Sequence, residues 1–418
     1  MNLANALTTL KARGFVKQST DESALDASLS NEKVVYYVGF DPTADSLHVG
    51  SLVPIMAIAH LQQWGHFPIC IIGGGTTMIG DPSGKTEMRS MLTREEIVAN
   101  GQGILAQLKR YAVLDGEQGM FLNNADWLLG LNYIDFLRDI GRYFKVNEMI
   151  RAEAYRQRLE RQEGLSFIEF NYQLLQAYDF LVLFKEFKCT LQMGGDDQWG
   201  NILAGNDLIR KITGHVVHAL TFPLLTTASG QKMGKTESGA IWLDAKRTSP
   251  YKFYQYWINT DDRDVVSFLK FFTFLPLTQI TELENLQGSD IRKAKEILAF
   301  EVTKLAHGKG EAEKAKEASL AAFGQGSEGI ESMPTTTILR SRFVSGITLA
   351  DLFVETGLVS TKSEAQRLAE QGGAQVQGKR ISSSRELITE NMLEDNELLL
   401  SAGKKKRHRV VVIRKEPE

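Results

Sequence analysis

The sequence has little of several features that would define a protein class at once. Its 418 residues include only two cysteines, Cys70 and Cys189, in no C-x-x-C pair, which argues against a disulfide framework or a zinc knuckle. The longest apolar stretch, residues 268–280, is interrupted by Lys270 and is too short to cross a bilayer, so no membrane partner is predicted. The net charge of −3 excludes a generic polybasic coat for nucleic acid but leaves room for a local basic patch.

Recognisable targeting signals are also lacking. The first thirty residues contain no apolar core of a secretory signal peptide. Asp21, Glu22 and Asp26 fit poorly with an organelle transit peptide, in which acidic residues are rare. Together with two buried free thiols, these features predict a chain that works in the reducing cytoplasm.

The N-terminal half does contain a clear alternation of short apolar runs and helical patterns. Residues 34–38 and 69–72 are predicted to be buried strands, and residues 52–64 between them have helical periodicity. This order indicates a βαβ unit and therefore a parallel sheet. Ligands of such sheets bind beyond the carboxyl ends of the strands, where both runs are followed by glycine.

Changes in composition divide the rest of the chain. After residues 1–248, the segment 249–322 is dominated by helical patterns rich in Lys and Glu. Residues 323–345 include glycine, serine, proline and threonine without periodicity and are interpreted as a linker. The remaining unit, residues 346–418, has a predicted helix followed by short strands, and residues 401–415 hold seven basic side chains and no acidic one.

One candidate for nucleotide chemistry is the segment 37–51. A predicted strand ends at a glycine, and a helix begins near His48. Backbone N–H groups at a helix start attract phosphate, His48 can donate to a phosphate oxygen, and Gly50 would let a nucleotide lie against the helix. By itself the H-x-G string more often marks an ordinary βα turn.

The glycine-rich segment 73–86 ends in Gly-Lys-Thr, which suggests a P-loop. The spacing fails, because Ile79 stands where the first glycine is required and Pro82 removes one N–H from the loop. The segment can still deliver Lys85 and Arg89 to a polyanion, and the alternative is a flexible surface loop.

A predicted helix carries a polar face made of Tyr172, Gln176 and Asp179. These residues stand at i, i+4 and i+7 and therefore share one side of the helix. A phenol, an amide and a carboxylate together can bind the polar groups of a small ligand. An ordinary solvated helix face is the alternative.

Two later segments suit a nucleotide as well. Asp197 follows a predicted strand and two glycines, where a carboxylate can accept from ribose hydroxyls or simply cap a helix. Lys232 and Lys235 stand three apart in a loop of small residues, which suits a clamp on a triphosphate or a solvated basic loop.

In this order and separation, the five segments resemble those of bacterial tyrosyl-tRNA synthetases, a family of class I aminoacyl-tRNA synthetases, over essentially the whole chain. The family's H-I-G-H motif corresponds to residues 48–51, with Ser51 in place of the second histidine. Its K-M-S-K-S motif corresponds to residues 232–236, with Gly234 and Thr236 as variations of the tyrosyl branch. The resemblance implies an α/β fold with a Rossmann-like parallel-sheet catalytic domain, then a helical anticodon-side domain and a small α+β RNA-binding domain of a ribosomal-protein type.

The resemblance also implies a reaction. L-Tyrosine would be activated with ATP, accompanied by Mg²⁺, to tyrosyl-adenylate and pyrophosphate, and the tyrosyl group would pass to the 3′ end of tRNA(Tyr). The tyrosine carboxylate is the nucleophile, so catalysis would rest on positioning and on stabilisation of phosphate charge. A homodimer is implied, with neither a tightly bound cofactor nor a structural metal, and residues 121–144 are the region in which an interface is sought.

Roles for single residues follow from the resemblance by position. The phenol of tyrosine would be held by Tyr37 and Asp179, its ammonium group by Asp81, Tyr172 and Gln176, and its carboxylate by Gln198. The implied ATP-binding residues are Asp41, Gly50, Gly195, Asp197, Met233 and Lys235. The implied catalytic residues are Thr43, His48, Lys85, Arg89, Lys232, Lys235 and Thr236, and the implied RNA-binding residues are Lys379, Arg380, Lys404, Lys405, Lys406 and Arg407.

Three alternatives stay open at this point. A tryptophanyl-tRNA synthetase would share the catalytic fold, but Tyr37 and Asp179 suit a phenol, and that family normally lacks the C-terminal unit. A non-catalytic RNA-binding relative is disfavoured because His48 and both loop lysines are present. A P-loop kinase is weakened by the failed spacing.

Overall fold

The computed structural model describes residues 5–82, 92–161, 164–228, 230, 232–236, 239–286, 288–323, 334–393, 396–403 and 406–413. The chain forms two compact units. The first comprises Met1–Ser249 with Tyr256–Ala306, and the second comprises Pro250–Gln255 with His307–Glu418.

A six-stranded sheet forms the centre of the first unit. Its strands are β1 (Gln18–Ser19), β2 (Val35–Phe40), β3 (Phe67–Ile72), β4 (Met120–Asn123), β5 (Cys189–Gly195) and β6 (His218–Phe222). The order is β1-β6-β5-β2-β3-β4, with β1 antiparallel to β6 and all other pairs parallel. The predicted βαβ unit and parallel sheet are therefore confirmed. The order changes direction at β2, which leaves a crevice beyond the carboxyl ends of β2 and β5.

The burial of the central strands accounts for their apolar sequences. From Ile69 onward β3 is buried at every position, so its residues form a continuous apolar run rather than an alternating one. Cys70 lies on β3 and Cys189 on β5, and both are buried free thiols as predicted.

Helices cover the sheet and extend the unit. They are α1 (Ala6–Arg13), α2 (Glu22–Asn31), α3 (Leu52–Gln63), α4 (Arg94–Leu108), α5 (Ala125–Leu128), α6 (Tyr133–Asp139), α7 (Val146–Met149), α8 (Glu153–Glu160), α9 (Phe167–Phe187), α10 (Trp199–Thr213), α11 (Pro250–Ile258), α12 (Val265–Phe272), α13 (Leu277–Glu284) and α14 (Ile291–His307). A two-stranded ribbon, β7 (Lys235–Thr236) with β8 (Gly239–Ala240), follows α10 and β6. Helix α3 confirms the helix predicted between the first two strands.

Helix α9 begins at a strongly specified N-terminus. Ser166 and Glu169 form a reciprocal capping box, in which the Ser166 hydroxyl accepts from the Glu169 N–H and the Glu169 carboxylate accepts from the Ser166 N–H. The same carboxylate pairs with the buried Arg158 guanidinium at 3.0 Å. These bonds fix where α9 begins and hold its first turn against α8, from which the polar face of the helix continues.

Arg13, at the end of α1, fixes the end of α12. Its buried guanidinium donates to the carbonyl oxygens of Lys270, Thr273 and Leu275 at 3.0, 2.9 and 2.6 Å. These carbonyls are at or beyond the last turn of α12, where no intrahelical donor is available. Burial lowers the pKa of Arg13 to about 10, which leaves it charged near neutral pH.

The second unit is a small α+β fold. Its strands are β9 (Thr335–Leu339), β10 (Ile347–Thr348), β11 (Ala374–Val376), β12 (Lys379–Arg380), β13 (Leu387–Ile388), β14 (Glu397–Ala402) and β15 (Lys406–Ile413), and its helices are α15 (Lys309–Phe323), α16 (Arg340–Val344), α17 (Leu349–Glu355) and α18 (Lys362–Glu370). Five strands form one sheet in the order β12-β11-β14-β15-β9. The buried core includes Phe343, Leu352, Phe353, Leu400 and Val410.

The segment interpreted as a linker, 323–345, contains regular structure at its C-terminal end. Its residues 324–333 lie outside the described residues, whereas Thr335–Leu339 form β9 and Arg340–Val344 form α16. Strand β9 pairs in parallel with β15, and Ile338 enters the core. Such short elements have no periodicity that a sequence could reveal.

None of the helices within the described ranges combines the length and the apolar composition that crossing a bilayer requires.

Candidate active site

Two buried side chains form one end of the site. Tyr37 lies on β2 and is 3% exposed, and its hydroxyl is buried without a hydrogen-bond partner among the described atoms. Asp179 lies on α9 and is 4% exposed. Burial, and then the charge of Asp179, raises the pKa of Tyr37 well above its ordinary value. The phenol therefore stays protonated and presents an unsatisfied polar atom beside a carboxylate.

Asp179 is held by two residues that the sequence analysis missed. Its carboxylate accepts from Asn124 Nδ2 at 3.0 Å and from the Trp127 indole N–H at 2.7 Å. Burial raises the pKa of Asp179 to about 7; these two hydrogen bonds oppose the shift and the charge of Asp41 adds to it. Asn124 directly follows β4, so the rule about carboxyl ends of parallel strands could have found it had β4 been predicted.

The glycine-rich exit of β3 packs against the same residues. Asn124 accepts from the Gly75 N–H at 2.8 Å and donates to Thr76 Oγ1 at 3.0 Å. A Cβ atom at Gly73 would stand 2.4 Å from Asp41 Oδ1, which explains why the chain has glycine there. Asp41, which follows β2, thus lies beside the exit of β3. Lys85 and Arg89, predicted to reach phosphate from this segment, lie outside the described residues.

Polar side chains continue from Asp179 toward β5. Tyr172 is buried and Gln176 is half-buried on α9, two turns and one turn before Asp179 on the same side of the helix. Asp81 accepts from Gln198 Nε2 at 2.7 Å, and the side-chain oxygen Oε1 of Gln198 accepts from Asn201 Nδ2 at 3.1 Å. Two segments that are more than a hundred residues apart in sequence meet here.

The exit of β5 supplies Asp197. A Cβ atom at Gly195 would stand 2.5 Å from Asp197 Oδ1, so the Asp197 carboxylate lies directly against the Gly195 backbone. Desolvation, and then the charge of Asp81, raises the pKa of Asp197, while Lys232 opposes the shift. Lys232 is therefore close enough to act on this carboxylate. Within the described ranges, no group of three or more His, Cys, Asp or Glu side chains is placed to hold a metal ion.

His48 caps the short helical turn before α3. Its Nδ1 accepts from the Gly50 N–H at 3.0 Å, which in the neutral ring leaves the proton on Nε2. Nε2–H is thus the donor that a phosphate oxygen would meet. Thr43, on the turn after β2, is exposed, and its N–H donates to the Asp41 carbonyl oxygen at 2.8 Å.

The loop that contains the two predicted lysines, residues 225–236, is called here the lysine loop. Its Met233 is buried, and Gly234 has φ +80°. A Cβ atom on Gly234 would stand 2.9 Å from the Gly50 nitrogen, and one on Gly50 would stand 3.1 Å from the Met233 carbonyl oxygen. The side of Gly50 on which a Cβ atom would stand thus faces the His48 ring and the lysine loop.

For Lys232 the structure describes the side chain, and for Lys235 it describes the backbone. Lys232 is exposed on the lysine loop. Lys235 and Thr236 are described by their backbone, as strand β7, and their side chains lie outside what is described.

In the second unit, the predicted RNA-binding residues are not equivalent. Lys379 and Arg380 are exposed on β12. Lys406 donates to the Leu358 carbonyl oxygen at 3.2 Å, and Arg407 donates to the Ser401 hydroxyl. Lys404 and Lys405 lie outside the described residues.

Known proteins share both the sequence and the architecture. Residues 29–324 match the family model described as tRNA synthetases class I (W and Y). The chain is 52% identical to the tyrosine–tRNA ligase of Desulfatibacillum aliphaticivorans, over 98% of this chain and 99% of that relative. It is 50% identical to the tyrosine–tRNA ligase of Acetivibrio thermocellus, over 98% of this chain and all of that relative.

Solved structures agree. The crystal structure of a C-terminally truncated mitochondrial tyrosyl-tRNA synthetase from Aspergillus nidulans is similar with a TM-score of 0.69 and 32% identity, over 76% of this chain and 94% of that one. A tryptophanyl-tRNA synthetase from Encephalitozoon cuniculi shares the fold, with a TM-score of 0.55 at 13% identity, over 74% of this chain and 87% of that one. These results agree with the parallel sheet and its crevice. With a matching family model and relatives about half identical over nearly the whole chain, the chain belongs to the class I tRNA synthetases of the W and Y family.

Proposed function

We propose that the chain is a tyrosine–tRNA ligase that works in the cytoplasm. In the first step the tyrosine carboxylate attacks the α-phosphate of ATP and pyrophosphate leaves. In the second step a hydroxyl of the terminal ribose of tRNA(Tyr) attacks the carbonyl carbon of tyrosyl-adenylate, and AMP leaves. One observation carries the proposal: the buried, unpartnered Tyr37 hydroxyl beside the Asp179 carboxylate.

This pair selects a phenol. The hydroxyl of a bound tyrosine can donate to Asp179 and accept from Tyr37, which satisfies both groups at once. With phenylalanine, the same two groups stay buried and unsatisfied, and the desolvation cost of each is not recovered. An indole N–H can donate to Asp179 but cannot accept from Tyr37, which disfavours tryptophan.

The other polar groups of tyrosine fit the next residues along the site. Asp81, with Tyr172 and Gln176, offers oxygen atoms to the ammonium group, and a carboxylate is the strongest of these acceptors. Gln198 Nε2, which donates to Asp81, can turn its donor toward the substrate carboxylate. The reacting carboxylate would then lie between the tyrosine pocket and the nucleotide residues.

ATP would lie at the exits of β2 and β5. Asp41, Gly50, Gly195, Asp197 and Met233 surround the adenosine, and Thr43, His48, Lys232, Lys235 and Thr236, with Lys85 and Arg89, stabilise charge on the phosphates. Mg²⁺ would arrive with ATP, held mainly by phosphate oxygens. Preorganised donors act most strongly where charge develops in the transition state, so no covalent nucleophile is needed.

The first experiment measures exchange of pyrophosphate into ATP with tyrosine, tryptophan or phenylalanine. We expect exchange with tyrosine, and a loss of about tenfold or more in kcat/KM for tyrosine in Tyr37→Phe, because one buried hydrogen bond to the substrate is removed. Tyr36→Phe is the matched control, because Tyr36 donates to the Ile58 carbonyl oxygen at 2.6 Å and lies on the opposite side of β2. Absence of exchange with tyrosine, or equal exchange with tryptophan, would contradict the proposal.

The second experiment measures protons released when tyrosine binds. With a pKa of about 7, Asp179 is largely protonated at slightly acidic pH, and the substrate hydroxyl favours its ionised form. We expect release of roughly 0.7 proton per tyrosine at about pH 6.5 and less than about 0.1 at about pH 8. Calorimetry in two buffers of different ionisation enthalpy gives this number, and equal values at both pH values would refute the role of Asp179.

A homodimer is part of the proposal. Exposed apolar side chains concentrate between residues 129 and 168: Leu129, Tyr133, Ile134, Leu137, Val146, Ile150, Leu159, Phe167 and Ile168. Ile134 and Leu137, three apart on α6, share a face, and Phe167 is 69% exposed at the start of α9. So many exposed apolar side chains in one stretch of the chain favour a second copy of the chain as their partner. The region overlaps the predicted 121–144.

Replacing Ile134 and Leu137 by glutamate tests the dimer. Two buried charges without partners would oppose association, so we expect sedimentation of a single chain where the wild type sediments as two. Val113→Glu is the control, since Val113 is 45% exposed outside this region. A double variant that still sediments as two chains would place the interface elsewhere.

Contacts with tRNA would come from both units. The second unit would bind RNA through Lys379 and Arg380 with the basic residues 404–407, and the helical segment 249–322 would face the anticodon stem. In the first unit, a cavity of about 1050 Å³ reaches from Asp197 past Lys145 and Arg151 to Arg210 and Lys211. Its lining also includes Glu148, Asp196 and Asp207, so its charges balance. Its position beside Asp197 is what suits the 3′ end of a tRNA that must reach the adenylate.

Reversing the charges of Lys379 and Arg380 tests this RNA surface. We expect the double Glu variant to bind tRNA(Tyr) more weakly, with a salt dependence shallower by about one per lost phosphate contact, while pyrophosphate exchange stays unchanged. Lys109→Glu with Arg110→Glu makes the same change in charge at two exposed residues at the end of α4, outside the proposed RNA surface, and is the control. Equal affinity and salt slope in the two double variants would rule out a phosphate role for β12.

A further inference from the structure

The lysine loop is held by two side chains that none of the roles above uses. Asp264 Oδ2 accepts from the Ala228 N–H at 2.8 Å. The Tyr256 hydroxyl accepts from the Gly234 N–H at 3.3 Å. These two contacts lie on either side of Lys232, so the loop is fixed to the helical segment at both flanks of a predicted catalytic residue.

The Asp264 carboxylate is not required to cap a helix. Asp264 precedes α12 with a helical backbone, φ −92° and ψ −18°, and makes no side-chain capping bond to that helix. The Asp261 carboxylate accepts from the Arg263 N–H and caps the short turn that leads into α12. Because this start is already capped, the Asp264 carboxylate is available to bind the lysine loop, 36 residues away in sequence.

Tyr256 belongs to α11 and Asp264 directly precedes α12, and these two helices form a tightly packed pair. Tyr256 packs its ring against Trp257 at 5.2 Å, and Trp257 is fully buried against Phe268 and Phe272 of α12. The far end of α12 is fixed by Arg13. Hydrogen bonds from so rigid a base can set the position of a loop backbone to within a fraction of an ångström.

Other contacts of the lysine loop link its position to that of Lys232 in the site. Gly234 also accepts from the Ile241 N–H at 3.0 Å, so both of its backbone polar groups are bonded while it lies against Gly50. Lys232 acts electrostatically on Asp197, across the nucleotide site. A shift of the loop would therefore move Lys232 relative to the phosphates but would leave Tyr37 and Asp179 unchanged.

We propose that Tyr256 and Asp264 are positioning residues that hold the lysine loop, and with it Lys232, at the phosphate end of the site during adenylate formation. The inference rests on the proposed function. The two residues touch neither substrate in this role, because they act through the backbone of Ala228 and Gly234.

The test compares Tyr256→Phe, Asp264→Ala and Asp264→Asn in the full chain. Per active site, we expect kcat for pyrophosphate exchange to fall about two- to tenfold in Tyr256→Phe and in Asp264→Ala, with KM for tyrosine unchanged. Asp264→Asn keeps an acceptor oxygen for Ala228 and should retain the wild-type rate. Asp262→Ala is the control, since that carboxylate lies in the same short turn but pairs with Lys295 of α14.

A second readout does not depend on activity. Hydrogen exchange in peptides covering residues 225–236 should be faster in Tyr256→Phe and Asp264→Ala than in the wild type or Asp264→Asn, because the amides of Gly234 and Ala228 lose their acceptors. Hydrogen exchange at the wild-type rate in both variants would overturn the proposal. An unchanged kcat for pyrophosphate exchange would do the same, as would a rise in KM for tyrosine as large as the fall in kcat. Should the wild type fail to activate tyrosine, the proposed function falls, and hydrogen exchange alone decides whether the two side chains hold the loop.

Discussion

The site depends on one buried carboxylate that must be kept from being either neutralised or displaced. Asp179 lies where burial alone would leave it protonated, and the N–H groups of Asn124 and Trp127 return part of the lost hydration. The same two bonds fix the carboxylate in space. Since Asn124 also binds Gly75 and Thr76, the exits of β3 and β4 and the face of α9 form one hydrogen-bonded assembly. In the proposed function, the tyrosine hydroxyl would meet a pocket whose geometry is already set.

At the opposite end of the site, close backbone approach takes the place of side-chain bonds. Gly50 and Gly234 bring the turn before α3 and the lysine loop very close together: a Cβ atom on Gly234 would stand 2.9 Å from the Gly50 nitrogen, and one on Gly50 would stand 3.1 Å from the Met233 carbonyl oxygen. Contact at this distance makes the two segments one surface, although about 180 residues separate them. Serine at position 234, as in the general class I motif, would carry a Cβ atom into this contact and would need a left-handed backbone.

What the sequence could predict follows from which features are local. The buried strands, α3 and the polar face of α9 follow from apolar runs and helical spacing, which neighbouring residues specify. Asn124 and Trp127 were missed because β4 is a short, half-buried strand without a clear pattern, and their partner lies more than fifty residues later. The contacts of Tyr256 and Asp264 join residues 22 and 36 positions apart, which local spacing cannot show either. A short β9 within a segment rich in glycine and threonine is visible only beside β15.

The two ends of the site require different electrostatic environments, and each is built from a different kind of structural element. Phenol recognition requires a dry, fixed carboxylate, so its partners come from strands and a long helix in the core. Phosphate chemistry requires positive charge that solvent and substrate can reach, and Lys232 lies accordingly on an exposed loop. An exposed lysine is positioned poorly by its own flexible side chain, so precision has to come from its backbone. In the proposed role of Tyr256 and Asp264, the loop is bonded to helical residues on both sides of Lys232. The lysine can then be both accessible to solvent and precisely positioned.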